Sequence, residues 1–250
     1  MKRLLIIGIG AGDPDHLTFQ GAKAIASADV FFVLDKGAAK DDLVRLRREL
    51  IEAHGREPYR VVAAADPERD RTAAAYAEAV EDWRSRRAGV YEALIRDELA
   101  DGQTGAFLVW GDPGVYDSTL AVVEEVLERG AVAFEYSVVP GISSVSALTA
   151  AHRTGLTRVA RPLHLTTGRR LADEGPTADD MLVMLDAQCA FAGLDDFHIH
   201  WGAYVGTPDE ILISGPVAEV GERIRETRAK ARAEKGWIMD TYLLRRLPPG

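Results

Sequence analysis

Two patterns alternate along this chain: short continuous apolar runs, and longer segments in which apolar residues return every three or four positions. The first reads as strand buried on both faces, the second as helix with one side on a core. Runs at 4–9, 30–34, 105–109 and 133–139 predict strands, and helical spacing predicts helices over 18–26, 41–51, 119–130 and from 143 to near Gly155. Between them, a charged stretch at about 38–100 reads as mostly helical, with a short strand at 59–62 and one long helix or two over 71–99, breakable at Gly89. The second half predicts strands at 163–167, 181–186, 197–205, 210–214 and 236–244, a polar loop running to Asp180, and a helix from Pro216 to about 233. Strand and helix in alternation define an α/β protein. We expect two α/β domains, 1–156 and 157–250, the first carrying the charged segment as an insertion.

Three turns interrupt this pattern at strand ends. Trp110-Gly111-Asp112-Pro113-Gly114-Val115-Tyr116-Asp117-Ser118 joins an apolar strand to a helix that Gly130 stops. Glycines in such a turn let a ligand touch backbone amides, and ligands of open α/β sheets sit beyond the carboxyl ends of strands. After the first strand comes Gly10-Ala11-Gly12-Asp13-Pro14-Asp15-His16, and after the second comes Asp35. This looks like a dinucleotide fingerprint, but its third glycine is replaced by Asp13, followed by Pro14. A carboxylate there repels pyrophosphate and the proline delays the helix. A wide turn presenting Asp13 and His16 fits better. The third turn is Pro140-Gly141-Ile142-Ser143-Ser144, where Ser143 can cap the next helix.

Composition narrows the function classes. The single cysteine, Cys189, among 250 residues excludes a disulfide framework and suits a reducing cytoplasm. No apolar run approaches the roughly 20 residues that cross a membrane. The N-terminal apolar stretch turns too soon for a signal peptide. A net charge of −9 argues against nucleic acid as the main partner, so an anionic ligand would need gathered arginines. Arg45, Arg47, Arg48, Arg84, Arg86 and Arg87 are candidates, with Arg153, Arg161, Arg169 and Arg170. No metal-ligand spacing, hydrolase elbow or phosphate loop is present. His198 and His200 share one strand face and read as lining a core or an interface. The chemistry left is that of a ligand with a zwitterionic end and a flat end, reacting without a protein nucleophile.

Four motifs then fall in order: Gly8-Ile9-Gly10-Ala11-Gly12-Asp13-Pro14-Asp15 with Leu17-Thr18; Gly111-Asp112-Pro113; Val139-Pro140-Gly141-Ile142-Ser143-Ser144; and Gly206-Thr207-Pro208. Together they resemble the tetrapyrrole (precorrin and uroporphyrinogen) methylase family over nearly the whole chain. The charged segment after Asp35 and the ending Lys235-Gly236-Trp237-Ile238-Met239-Asp240-Thr241-Tyr242-Leu243 resemble the branch that methylates a corrin-ring carbon and releases acetate.

The resemblance implies S-adenosyl-L-methionine in a cleft between two α/β domains, a precorrin (an anionic tetrapyrrole) as substrate, and a homodimer. It implies that Trp110, Gly111, Asp112 and Val115 hold the methionine end, with Ser143 and Ser144 as a second contact pair. Backbone near Leu185, Ala203, Tyr204, Gly206 and Ile238 would meet adenine, although Leu185-Asp186 departs from the usual family wording. The loop at 10–16 would line the tetrapyrrole trough. Release of acetate calls for a general base, for which Asp13, His16, Asp35 and Tyr116 are candidates. Three other readings stay open: a family cousin acting on another precorrin position, a diphthamide precursor or ribosomal RNA; a nucleotide-binding oxidoreductase; and a non-catalytic ligand-binding regulator.

Overall fold

In the computed structural model, residues 1–35, 41–68 and 76–248 are described, without the side chains of 35, 41–43 and 76–80. The chain divides into two compact units, Met1–Ile142 and Ser143–Gly250, earlier than the expected boundary at 156. The reason is that the helix after Ser143 contacts strands of the second sheet.

The first unit is a five-stranded sheet of β1 (Lys2–Gly8), β2 (Val30–Asp35), β3 (Arg60–Ala65), β4 (Thr104–Val109) and β5 (Phe134–Val139), in the order β3-β2-β4-β1-β5. All its pairings are parallel. The helices are α1 (Phe19–Ile25), α2 (Asp41–His54), α3 (Tyr76–Glu98) and α4 (Thr119–Arg129). Every residue of β4 is buried, as its unbroken apolar run requires of a strand covered on both faces. One face packs Phe107, Leu4 and Ile6 against Ala88, Tyr91 and Ile95 of α3 and Val122, Val123 and Val126 of α4. The other packs Ile7, Phe31 and Ala106 against Ile25, Leu46 and Leu50. Tyr91 stacks on Phe107 with ring centroids 4.0 Å apart.

The charged segment is therefore not an addition to the unit. It supplies the edge strand β3 and two of the four helices described in this unit, and most of its described polar residues, though not Arg47, Asp66 or Arg87, face outward from core elements. The α3 helix runs unbroken past Gly89. The Thr18 hydroxyl caps α1 by accepting the Gly21 amide at 2.9 Å, and Gly130 closes α4 as expected, in left-handed backbone, φ 66°.

The second unit contains α5 (Ser144–Ala151), β6 (His164–Thr167), α6 (Gly168–Glu174), β7 (Asp180–Met184), β8 (Phe197–Ala203), β9 (Ile211–Pro216), α7 (Val217–Lys235) and β10 (Asp240–Arg246). Its sheet order is β6-β7-β10-β8-β9, parallel only between β6 and β7. Two expectations change here. Residues 168–174 are helix rather than polar loop, because the Thr167 hydroxyl caps a new turn by accepting the Arg170 amide. The last strand begins at Asp240 rather than Gly236, because α7 continues to Lys235 and Gly236 ends it with φ 76°. Trp201, Ile199, Tyr242 and Val183 pack with Val217, Val220 and Ile224 of α7.

Candidate functional site

Strand order brings the turns of the first unit together. The chain leaves β1 toward β2 on one side, and it leaves β4 toward β5 on the other, so the sheet switches direction between β1 and β4. At that point Gly10 and Gly111 form a two-way bridge: the Gly111 amide donates to Gly10 O at 2.7 Å, and the Gly10 amide donates to Gly111 O at 3.2 Å. The third turn closes in from β5. A Cβ on Gly8 would lie 2.5 Å from Gly141 N, and one on Gly141 would lie 2.1 Å from Gly111 O. Only glycine permits this three-way backbone contact.

The Asp112 carboxylate fastens the arrangement. One oxygen accepts the Gly114 amide and the other accepts the Gly141 amide, each at 2.8 Å. The sequence presents Asp112 as a charge for a ligand; the structure gives both its oxygens a share in holding two turns. The Val115 amide closes the turn onto Asp112 O at 3.1 Å. Beside Gly111, the indole nitrogen of Trp110 is buried and makes no hydrogen bond among the described residues. Because a buried donor without a partner is costly, this one suits a polar atom of a ligand.

The four candidate bases fall in different surroundings. Asp13 spends one oxygen on the Asp15 amide, 2.9 Å away, as the cap of the 3-10 turn Pro14–His16. His16 packs its Cβ over Gly10, and its Nδ1 is buried without a partner among the described residues. Tyr116 is 46% exposed and in left-handed backbone, φ 49°. Asp35 ends β2, and its side chain lies outside the described residues.

Most candidate arginines are already engaged. Arg45, Arg84, Arg86, Arg161 and Arg170 pair with Glu49, Glu125, Asp82, Asp179 and Glu174. Arg87 is a buried partner of Asp66 at 2.9 Å, both side chains 7% exposed, and it also donates to the Ser118 hydroxyl at 2.7 Å. Arg47 donates from Nε to Leu108 O at 2.8 Å, and burial pushes its guanidinium below the ordinary value. Arg47 thus braces the end of β4, and Arg87 the end of the turn that follows it.

The second unit has its own built corner. Leu185, after β7, is 64% exposed with φ 54°, and Tyr204, after β8, is buried with φ 50°. The Asp186 carboxylate accepts the amides of Gln188 (2.9 Å) and Ala190 (2.7 Å) and the Tyr242 hydroxyl (2.7 Å). Arg228 donates from Nε to Asp240 at 2.8 Å and from Nη2 to Asp186 O at 2.6 Å, while the Trp201 indole donates to Asp240 at 3.0 Å. Burial opposes charge on Arg228, but the hydrogen bond and charge of Asp240 outweigh it and hold the guanidinium protonated. Burial and the Asp186 carboxylate together push the Tyr242 hydroxyl well up. Ala203 is fully buried at the end of β8, Ile238 packs at the core's edge, and the Gly206 amide donates to Glu210 at 2.8 Å. Ser143 caps α5, its hydroxyl accepting the Ser146 amide at 3.3 Å, and Ser144 is that helix's first residue.

Sequence reasoning missed Arg228, Asp240, Asp186 and Tyr242. A signal existed: Val217, Val220, Ile224, Arg228 and Ala231 form one buried stripe of α7, and an arginine on that stripe needs a buried partner. Away from this corner, His152, His198 and His200 gather with ring centroids 5.2 and 4.7 Å apart, and the Ser214 hydroxyl lies 2.9 Å from both His198 and His200. Among the described residues no side-chain group could hold a metal ion, and no helix is long and apolar enough to cross a membrane.

A parallel sheet carrying three glycine turns at its switch point, followed by a mixed sheet, defines a class. The chain belongs to the tetrapyrrole (corrin/porphyrin) methylases, whose family model matches residues 3–221. Within it, the chain is similar to the precorrin-6A synthase [deacetylating] of Sinorhizobium sp, with 51% identity over 98% of this chain and 96% of that one. Among solved structures it resembles a cobalamin synthesis related protein from Corynebacterium diphtheriae, with TM-score 0.84, 35% identity, and coverage of 99% and 100%. A uroporphyrin-III C-methyl transferase from Thermus thermophilus, complexed with S-adenyl homocysteine, shares the fold at TM-score 0.58 and 18% identity, covering 97% of this chain and 92% of that one.

Proposed function

We propose that this chain is an S-adenosyl-L-methionine-dependent C-methyltransferase of corrin-ring synthesis that converts precorrin-5 to precorrin-6A, methylating ring carbon 1 and releasing acetate. The observation that carries this reading is the 51% identity to a precorrin-6A synthase [deacetylating] across nearly the full length of both chains. The bridged glycine turns let the methionine end of the cofactor approach the backbone closely, and the Trp110 indole N–H, without a partner among the described residues, offers it one buried donor. Ser143 and Ser144, at the start of α5, are the second contact pair in this reading. In the second unit, backbone near Leu185, Ala203, Tyr204, Gly206 and Ile238 takes the nucleoside end.

When bound, S-adenosylmethionine supplies a methyl group already activated on sulfur. The chain's own residues then have two duties. The first is to hold the bound groups in line with little motion, which the Gly10–Gly111 bridge and the Asp112 bonds serve. The second is to take a proton from the water that attacks the acetyl carbonyl. Of the candidates, His16 fits best: imidazole is the commonest side chain for proton transfer, and this residue packs its Cβ on the first glycine turn against Gly10, with Nδ1 buried and without a partner among the described residues. Tyr116, Asp13 and Asp35 are the next candidates. The same reading places the enzyme in the cytoplasm as a homodimer, without nucleic acid or membrane as partner.

Incubation with precorrin-5 and S-adenosylmethionine, read by product mass and acetate, tests the proposal. Equal amounts of methylated product and acetate are expected. Methylation without acetate would keep the methyltransferase and overturn the particular reaction, and His16→Ala that releases acetate at the normal rate would remove His16 as the base.

A further inference from the structure

Three residues other than glycine hold left-handed backbone at one end of the second sheet, Leu185 and Cys189 after β7 and Tyr204 after β8. Such conformations persist only where the surroundings over-determine them, and they gather at functional sites. β10 lies between β7 and β8 and begins at that same end, with Asp240 opposite Ala203. The bonds of the buried charges there run to peptide units beside the strained residues. Arg228 holds the Asp186 carbonyl, and the Asp186 carboxylate holds the Gln188 and Ala190 amides and the Tyr242 hydroxyl. Gly168 presses on the same point, since a Cβ there would lie 2.4 Å from Asp186 Cβ. On the other side, the Tyr204 amide donates to Met239 O at 2.9 Å, and its carbonyl accepts the Thr207 hydroxyl at 2.7 Å.

Stability alone gives no reason for this design. Replacing a buried ion pair by apolar residues of similar volume is often neutral or stabilising, and the rest of the α7 stripe is apolar. What the network does supply is a fixed direction for the Leu185 corner, held directly at the Asp186 carbonyl, and for the Tyr204 corner, held through Met239 beside Asp240. One of those corners presents an exposed apolar side chain, Leu185.

We infer that Arg228, Asp240, Asp186 and Tyr242 are positioning residues that lock the Leu185 and Tyr204 corners into the shape that receives the nucleoside end of S-adenosylmethionine. This rests on the cofactor proposed above. The network touches no reacting atom, so it sets cofactor affinity and leaves the chemical step alone.

The test measures the Kd for S-adenosylhomocysteine by calorimetry, with KM and kcat for S-adenosylmethionine, in Tyr242→Phe, Arg228→Lys and Arg228→Met. Tyr242→Phe is expected to raise Kd and KM about tenfold, which is about 1.4 kcal/mol. Arg228→Met should raise them further, with Arg228→Lys between the two, while kcat at saturating cofactor stays within twofold of the wild type. Arg245→Lys is the control. Arg245 anchors Thr154 and Gly155 at the far end of β10, so its loss should lower Tm without moving Kd. Kd within twofold of the wild type in both Tyr242→Phe and Arg228→Lys overturns the inference, as does an equal rise in Arg245→Lys. If the wild-type chain itself binds no S-adenosylhomocysteine, the cofactor reading falls and takes this inference with it; binding that the variants leave intact sinks the inference alone.

Discussion

Changing Gly141 to alanine adds one methyl group where three backbone segments meet. Its Cβ would stand 2.1 Å from Gly111 O, 2.8 Å from Gly8 C and 2.9 Å from Gly8 Cα. Reaching even 3.0 Å from Gly111 O demands a movement of about 0.9 Å. Neither neighbour can give way freely: Gly111 is bridged to Gly10 in both directions, and Gly8 is the last residue of a central strand. Overpacking of this kind costs about 1–3 kcal/mol. If the movement also breaks the charge-assisted Asp112–Gly141 bond, about 1.5–3 kcal/mol more is lost. At roughly 2–4 °C per kcal/mol for a chain of this size, Tm should fall by about 5–24 °C when both are lost. A displacement near 1 Å in a positioning turn can cost about a hundredfold in rate, and a similar loss of S-adenosylhomocysteine affinity is expected. Thermal unfolding and calorimetry check both figures. Gly130→Ala is the contrast, because Gly130 has left-handed backbone with nothing within 4 Å of its Cβ position. It should cost about 1–2 kcal/mol and leave affinity untouched. A Gly141→Ala protein with unchanged Tm and Kd would refute the reasoning that the three turns form one rigid backbone cluster.

The remaining predictions concern buried charge. Arg87→Met removes the buried cation that pairs with Asp66 and should destabilise the first unit by about 3–5 kcal/mol, with Asp66→Leu in the same chain recovering most of it in urea unfolding. No recovery would mean that the pair carries structure by itself. His200 is pushed down to about 4, by burial first and then by His198, His152 and Arg245. Because its folded value lies below that of the unfolded chain, stability is complete above about pH 6.5 and is lost as pH falls toward 4, while the unfolded chain takes up the proton first. The residue is only partly buried, so the loss amounts to about 1–2 kcal/mol after screening. A His200→Gln variant should flatten the decline of Tm between pH 6.5 and 4.5, and an unchanged slope would exclude His200 as its source.

Much of the fold was legible in the sequence because each unit repeats a local pattern. The unbroken apolar run of β4 and the valine stripe of α4 state their own burial. The glycine turn at Trp110–Ser118 and the cap at Ser143 could be placed from residue type alone. The role of Asp112 could not, since its partner at Gly141 lies 29 positions away. Nor could the fate of the arginines. An arginine on a charged helix reads the same whether it faces water, as Arg86 does, or is buried against an aspartate, as Arg87 is.

What the sequence determined by itself was the succession of strands and helices, the turns of glycine, and, through the order of four motifs, the family. Those properties are set by neighbours a few positions apart, where periodicity and turn chemistry act. Tertiary structure decided which turns meet. Placing β1 between β4 and β5 sets Gly10 against Gly111 and Gly8 against Gly141. Folding α7 over its sheet delivers Arg228 to Asp240 and to the Asp186 carbonyl. Strand order and the partner of a buried charge are non-local quantities, fixed by burial of the whole core and invisible to any window along the chain.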